Sequence, residues 1–219
     1  MQPSISAREL LTTTRAVRKR LDLTRPVERE VIEECIAIAQ QAPTSTNTEN
    51  QHFVVVTDPI KKNALAELFR RGWETYASVP RPVSNKSEDP RRNDTQSRVT
   101  SSAEYLRDHL QEVPVLVIPC IAVRTEGMPT VMQSEVWGSI APAVWSFMHF
   151  FGLGTSWTIL HLFYEKEAAS ILNIPYKEVM QAALIPVGYT KGIHFKSASR
   201  EPVSKIVQVK IFSQEIHYK

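Results

Sequence analysis

The segment from about Met132 to Phe151 constrains the fold more than any other part of the chain. Its apolar side chains would point in nearly every direction around a helix. They are Val136, Trp137, Ile140, Val144, Trp145, Phe147, Met148 and Phe151. A helix of this kind must be covered on most of its sides. Two kinds of cover fit the segment: the core of one subunit, or that core together with a second subunit. Pro142 predicts a kink, or a break near Ile140.

Composition narrows the class of protein. The chain has 219 residues, of which 42% are hydrophobic and 22% charged, so it can form a sizeable core. A net charge of +3 is too small to indicate a nucleic-acid partner, but it favours an anionic ligand. No apolar run reaches the ~18 residues of a membrane span, and no signal peptide is recognisable, so we expect no membrane partner. Cys35 and Cys120 lie in apolar contexts, which predicts buried thiols and a cytoplasmic location.

The first half of the chain predicts three helices and a strand. A capping-box pattern at Ser6 begins a helix in which Leu10, Thr14, Val17 and Leu21 recur at helical spacing. A second helix starts after residue 24. Residues 53–57 have the composition of a fully buried strand, and Asp58-Pro59 then begins a third helix.

The segment 79–98 interrupts this pattern. It contains many charges, three prolines and almost no large apolar side chain, and it is too long for an ordinary connection. We interpret it as a lid inserted into one domain that spans residues 1–219, with a disordered segment as the alternative.

The second half predicts a helix over 105–109, strands at 113–122, 155–160 and 182–187, and a short helix at 168–172. The tail at 206–211 alternates like an extended segment that pairs with a sheet edge. Helices and strands interleave without a regular βαβ rhythm. The pattern therefore indicates an α+β fold with a mixed sheet.

Several familiar chemistries are absent from the sequence. Trp157 replaces the third glycine of a dinucleotide fingerprint that begins at Gly152. The six histidines are scattered, without HExxH or a Cys/His cluster, so we expect no metal site. We interpret His149 and His161 as core or rim histidines with satisfied hydrogen bonds rather than as ligands. No GxSxG elbow supports a serine hydrolase.

Cationic and small polar residues are the remaining candidates. Arg15 and Arg18 are three apart on the predicted first helix and would share a face, while Arg200 lies in a late loop. Arginine suits phosphate because its planar fork donates two parallel hydrogen bonds, although ordinary surface arginines look the same in a sequence. The loop 42–52 is dense in hydroxyl and amide groups. It fits a helix cap or one wall of a polar ligand site.

Taken together, four stretches resemble the FMN-dependent nitroreductase family. Residues 14–18 are similar to its Arg-Arg-Ser-hydrophobic-Arg run, and residues 42–47 to its Ala-Pro-Ser-x-x-Asn loop. Residues 152–158 are similar to its Gly-Leu-Gly-Thr turn. Residues 183–189 with 200–203 resemble its closing strand and phosphate-side loop. The order of the four stretches matches across nearly the whole chain.

The resemblance implies a nitroreductase-like homodimer with two FMN sites at the subunit interface. A mixed, mainly antiparallel sheet would be flanked by helices, with 132–151 as the central dimerisation helix. A C-terminal extension would pack on the partner. Because Thr14 replaces the first arginine of the motif and Ala16 its serine, the cofactor contacts differ from the family pattern.

The same resemblance implies a role for each candidate residue. Arg15 and Arg200 would hold the FMN phosphate. Arg18 would lie by the pyrimidine edge, where its charge stabilises the anionic reduced flavin. The remaining cofactor-binding residues would be Ala16, Pro43, Thr44 and Ser45 (the last three from the partner), Asn47, and the backbone N–H groups of Ile159 and Leu160. Glu49-Asn50-Gln51 replaces the usual Gln-Pro-Trp in the pocket wall.

The implied reaction is a ping-pong transfer of hydride from NAD(P)H through FMN to a nitroaromatic, a quinone or a similar acceptor. It requires no side-chain acid, base or metal. A flavin-dependent dehalogenase and a flavin-fragmenting enzyme are alternatives within the fold. A flavin-binding protein without turnover and a non-enzymatic interaction module are the alternatives outside it.

Overall fold

The computed structural model describes residues 6–79, 90–148, 152–192, 194–200, 202–205 and 207. The helices in this part of the chain are α1 (Ala7–Thr13), α2 (Arg29–Ala39), α3 (Pro59–Ser78), α4 (Pro90–His109), α5 (Thr130–Phe147) and α6 (Glu165–Leu172). The strands are β1 (Gln51–Val56), β2 (Val115–Ile121), β3 (Leu153–Thr155), β4 (Met180–Gln181) and β5 (Ile185–Tyr189).

The strands form a single antiparallel sheet in the order β1-β2-β5-β3, with β4 pairing to the other part of β2. A parallel bridge between Ala16 and Thr155 adds the N-terminal segment beside β3. The arrangement confirms the predicted α+β class and the mixed, mainly antiparallel sheet.

β2 lies at the centre of the fold, and all its residues are buried. Successive side chains of a strand point to opposite faces, so β2 contributes to two cores. Val117 and Ile121 join the cluster formed with α2 and α5. Ile118 and Cys120 join the cluster formed with α3, α4 and α6. The sheet is therefore a middle layer between two layers of helices.

The long apolar helix is observed as α5. It continues through Pro142 without interruption, so the predicted break near Ile140 is wrong, while the alternative of a kink stays a prediction. One face of α5 is buried in the core, whereas Val131, Trp137 and Trp145 are exposed on the isolated chain. No helix among the described residues is long and apolar enough to cross a membrane.

The first helix is much shorter than predicted, because α1 ends at Thr13. Val17 and Leu21 are buried as expected, but not from a helix: the Val17 N–H of a short extended stretch donates to the Thr155 carbonyl at 2.7 Å, and Leu21 follows a turn at 18–20. The run of β-branched threonines at 12–14 favours helix formation weakly, and pairing with β3 replaces it. Arg15 and Arg18 consequently share no helix face.

Two strand predictions also need correction. β1 was expected to be fully buried, but it is an edge strand in which Val55 is 42% exposed. The strand expected at 155–160 ends at Thr155, and Leu160 begins a 3₁₀ turn, Leu160–Tyr164. Thr158 instead pairs with Leu184 as an isolated bridge, since its N–H donates to the Leu184 carbonyl.

The proposed lid is only partly covered by the structure. α3 extends to Ser78, and α4 already begins at Pro90, so residues 90–98 are helical rather than irregular. Residues 80–89 lie outside the described residues, as do His149 and most of the tail at 206–211. The lid and the C-terminal extension therefore stay predictions.

Candidate cofactor site

The N-terminal segment 14–22 is held against the sheet by backbone hydrogen bonds. The Val17 N–H donates to Thr155, and the Asp22 N–H donates to the Tyr189 carbonyl at 2.8 Å. Gly154 permits this close approach: a Cβ on it would lie 2.8 Å from a Leu21 methyl carbon. The segment that carries the candidate arginines is thus fixed to β3 and β5.

Arg15 links this segment to the loop that carries Arg200. Its guanidinium donates to the carbonyls of Thr14 at 2.6 Å, Thr12 at 3.2 Å and Lys196 at 2.6 Å. Two of the five N–H donors of an arginine are still unused after these three bonds. Arg15 therefore has a structural role and spare donor capacity.

Arg15 and Arg200 influence each other electrostatically. Burial, and after it the positive charge of Arg200, lower the pKa of Arg15. Neither guanidinium forms an ion pair with a carboxylate within the described ranges. Two neighbouring cations without a counter-ion suit an anion such as a phosphate monoester.

Arg18 is half-buried, and burial lowers its pKa. Its guanidinium has no hydrogen-bond or ion-pair partner among the residues that the structure describes. Its backbone carbonyl accepts from the Leu21 N–H at 3.1 Å, which fixes the turn. A partly desolvated cation without a partner is unfavourable. A ligand that accepts hydrogen bonds or carries negative charge would stabilise it.

The polar loop, residues 42–52, is anchored on α5. The Ser45 N–H donates to the Ser139 hydroxyl at 3.0 Å, and the Gln51 amide donates to the Ser139 carbonyl at 2.6 Å. Thr46 and Asn47 have φ values of 52° and 56°. Two successive non-glycine residues in the left-handed region are strained, and such strain often lies at binding sites. Gln51, one of the departures from the family motif, thus has a structural partner.

The candidate residues form two separate groups. Arg15, Ala16, Arg18 and Arg200 belong to the segments along β3 and β5, whereas Pro43, Thr44, Ser45 and Asn47 lie with α5. Within the described parts of the chain no hydrogen bond joins the groups. The division is consistent with a site to which two subunits contribute, and the subunit origin of the second group stays a prediction.

Ile159 and Leu160 follow β3 at the start of the 3₁₀ turn. Ile159 is 51% exposed, and neither backbone N–H has a hydrogen-bond acceptor among the described residues. Gly72 of α3 packs directly against this turn: a Cβ at Gly72 would lie 2.1 Å from the Leu160 carbonyl oxygen. Sequence reasoning missed Gly72, although an isolated glycine within a helical pattern is a recognised signal of close packing.

His161, the next residue, is fully buried, which confirms the core position expected for it, but the expectation that its ring is satisfied by hydrogen bonds is wrong. Burial lowers its pKa to about 4, while the adjacent Gln181 amide acts in the opposite direction. Neither ring nitrogen lies in hydrogen-bond geometry with a described residue. His161 is therefore a neutral, structural histidine at neutral pH.

The two thiols, Cys35 and Cys120, are unpaired and buried, and desolvation raises the pKa of each to about 12. Neither is suited to nucleophilic chemistry in the folded protein. Among the described residues, no group of three or more His, Cys, Asp or Glu side chains is placed to hold a metal ion.

Solved structures share this fold. The FMN and NADPH-dependent nitroreductase NfnB from Sphigopyxis sp. strain HMH has a TM-score of 0.68 at 16% identity, over 95% of this chain and 100% of that chain. A BluB-like flavoprotein from Clostridium difficile 630 has a TM-score of 0.66 at 18% identity, over 94% and 99%. An iodotyrosine deiodinase bound to FMN and 3-iodo-L-tyrosine has a TM-score of 0.67 at 19% identity, again over 94% and 99%.

No curated protein sequence shows significant similarity to the chain. The sequence profile described as the Nitroreductase family, by contrast, matches residues 11–189, which include all the candidate residues except Arg200. The match covers most of the chain, and it confirms the resemblance drawn from the four motifs. The protein belongs to the Nitroreductase family.

Proposed function

We propose that the protein is an FMN-dependent oxidoreductase that passes a hydride from NAD(P)H to a nitroaromatic, a quinone or a similar acceptor in ping-pong order. The observation that carries this proposal is the half-buried Arg18, whose guanidinium has no partner among the described residues. It lies on the same fixed segment as Arg15, whose pKa is lowered in part by Arg200. Three cations that have no carboxylate partner in the part of the chain that the structure describes fit a ligand with a phosphate at one end and an electron-accepting ring at the other.

The residues would divide the work between binding and electrostatics. Arg15 and Arg200 would bind the phosphate, and Arg15 retains two N–H donors for it. Arg18 would donate to the pyrimidine edge and favour added negative charge there. The short side chain of Ala16 leaves its backbone open, and the N–H groups of Ile159 and Leu160 would face the ring. Bound FMN would supply the hydride chemistry itself.

The proposal includes a homodimer. Val131, Trp137 and Trp145 expose apolar surface along α5, the helix on which the polar loop is anchored. Burying this face against the same face of a second copy would bring Pro43, Thr44, Ser45 and Asn47 of one subunit to the arginines of the other. A cytoplasmic location fits this reductive chemistry.

Purification tests the proposal directly. We expect a yellow protein that releases FMN on denaturation, with one FMN per subunit, and that oxidises NAD(P)H when a nitroaromatic is added. Colourless protein that fails to bind added FMN would refute the proposal. Bound FMN without turnover would indicate a flavin-binding protein. Because the solved relatives include a deiodinase complex, 3-iodotyrosine belongs among the acceptors tested.

Arg18→Ala should weaken FMN binding by about tenfold or more, since hydrogen bonds to charged groups contribute roughly 1.5–3 kcal/mol. Flavin reduction by NAD(P)H should also slow, because the positive charge beside the ring is lost. Fluorescence titration with FMN and stopped-flow reduction measure the two effects. Arg8→Ala, which removes an exposed arginine from α1, is the matched control. Equal FMN affinity and reduction rate in the Arg18 and Arg8 variants would contradict the placement of Arg18.

A further inference from the structure

The arginines belong to a larger surface, which we call the cationic platform and define as residues 15–22 and the described residues of the stretch 189–200 (189–192 and 194–200). The two stretches are joined along their length. Leu21 and Thr190 form an antiparallel bridge, and the Lys191 N–H donates to the Arg20 carbonyl at 2.7 Å. At the far end the Arg15 guanidinium donates to the Lys196 carbonyl. The platform is therefore a defined structure and not two independent loops.

The platform carries seven cationic side chains and a single carboxylate. The cations are Arg15, Arg18, Lys19, Arg20, Lys191, Lys196 and Arg200. The carboxylate, Asp22, accepts hydrogen bonds from the Thr24 hydroxyl and the Thr24 and Arg25 N–H groups. These bonds, led by the Thr24 hydroxyl, lower its pKa. Asp22 is thus already occupied, and the platform has a large excess of positive charge.

Bound FMN would not neutralise this excess. A phosphate monoester carries about −1.5 to −2 charge at pH 7, which matches Arg15 and Arg200 only. Arg20 is already used inside the platform. Its guanidinium donates to the carbonyls of Lys191, Gly192 and His194, and it stacks on the ring of Phe195. Its role is structural.

Three lysines remain. Lys191 lies near Asp22, whose pKa its charge helps to lower, whereas Lys19 and Lys196 have no carboxylate partner among the described residues. The exposed Lys19 ammonium donates to the neutral Ser101 hydroxyl of α4 at 2.8 Å. The Lys196 ammonium is exposed and has no acceptor among the described residues. The backbone of each lysine lies next to a residue of the proposed flavin site, because Lys19 follows Arg18 in the chain and the Lys196 carbonyl accepts a hydrogen bond from Arg15. Flexible, exposed ammonium groups suit an anion that arrives and leaves in every turnover.

We propose that Lys19 and Lys196 bind the 2′-phosphate of NADPH, so that the enzyme prefers NADPH to NADH. The inference rests on the proposed function, which supplies the nicotinamide nucleotide as co-substrate. NADH and NADPH share the diphosphate and differ by one phosphate monoester, which adds about −1.5 to −2 charge. The platform offers unpaired positive charge for that group beyond what FMN would use.

Equilibrium binding of two nucleotide fragments tests the inference. The protein as isolated is titrated by calorimetry with adenosine 2′,5′-bisphosphate and with adenosine 5′-monophosphate at low salt. We expect the bisphosphate to bind roughly tenfold more tightly, and the ratio to shrink at high salt because exposed charges are screened. Lys19→Gln and Lys196→Gln should each reduce the ratio about threefold, and the double variant should bring it close to one.

Lys166→Gln removes an exposed lysine from α6 and should leave the ratio unchanged. Equal affinity for the two nucleotides in the wild type, or an unchanged ratio in the double variant, would overturn the inference. Since the measurement needs no turnover, either result leaves the flavin proposal intact. Failure to bind FMN, in contrast, refutes that proposal separately. The ratio of kcat/KM for NADPH and NADH then provides a second readout in active protein.

Discussion

Gly72→Ala should destabilise the protein by about 3 kcal/mol or more, at or above the upper end of the usual cost of overpacking. The added Cβ would lie 2.1 Å from the carbonyl oxygen of Leu160 and 2.8 Å from its carbonyl carbon. Both are backbone atoms, so no side-chain rotation relieves the clash. α3 and the turn Leu160–Tyr164 would have to separate.

The sign of this effect is informative. Glycine to alanine inside a helix ordinarily stabilises by roughly 0.5–1 kcal/mol, so a large loss must come from the contact with Leu160. Urea unfolding measures the stability. Asn63→Ala, at an exposed position of the same helix, is the control and should change the stability by less than about 0.5 kcal/mol. Wild-type stability in Gly72→Ala would mean that α3 and the turn are not in contact.

A second readout concerns the proposed cofactor site. Because the turn presents the N–H groups of Ile159 and Leu160, moving it should also weaken FMN binding in Gly72→Ala. A variant that stays folded at low temperature but has lost FMN affinity would connect the packing of α3 with the site. Normal FMN affinity would remove Leu160 from the proposed cofactor contacts.

The free energy of unfolding should fall steeply between pH 6.5 and pH 4 because of His161. Burial lowers the pKa of this histidine from about 6.5 in the unfolded chain to about 4 in the folded protein. Between these values the unfolded chain binds a proton that the folded protein does not, so acid favours unfolding. The contribution of neutral His161 to the stability is fully present above pH 6.5 and is lost as the pH falls through the pKa of the folded protein. The difference corresponds to on the order of 3 kcal/mol.

Urea unfolding at several pH values, in the wild type and in His161→Phe and His161→Asn, isolates this contribution. The variants have no titrating group at this position, so their stability should change less between pH 7 and pH 4. His52→Gln removes an exposed histidine from β1 and should keep the wild-type pH dependence. If all four proteins show the same dependence, His161 does not remain neutral in the fold. Two different replacements guard against a variant that simply packs badly.

The sequence correctly predicts those elements whose residue pattern fits only one kind of secondary structure. Asp58-Pro59 starts α3 as expected, with the Asp58 carboxylate accepting from the Lys61 N–H at 2.8 Å. β2 is recognisable because a run of apolar residues too short for a buried helix fits a strand covered on both faces. In both cases local preference and tertiary environment agree.

Residues 14–21 show where such reasoning fails. Val17 and Leu21 have helical spacing, but Val17 is buried from a short extended stretch and Leu21 from the end of the turn that follows it. The choice depends on β3, which is more than 130 residues away in the chain. For the polar loop, the composition indicated a binding wall or a cap but could not show where the loop is held. Its anchor on α5, at Ser139, is distant in sequence.

The proximity of Arg15 and Arg200 was predictable only through the family resemblance. Nothing local indicates that a late loop returns to the N-terminal segment. The contact arises because the Lys196 carbonyl accepts from Arg15, a bond between residues 181 positions apart. Gly72 is a similar case, since its partner Leu160 belongs to an element that the sequence placed in a strand.

The two buried thiols can report separately on the opening of the two helical layers. Cys35 lies in the cluster beside α2 and α5, and Cys120 lies in the cluster on the other side of the sheet. With pKa values raised to about 12, neither reacts until its surroundings open. The rate at which a thiol reagent modifies each cysteine therefore measures how often the helical layer around that cysteine opens. Equal rates would show that the two layers open as one cooperative unit.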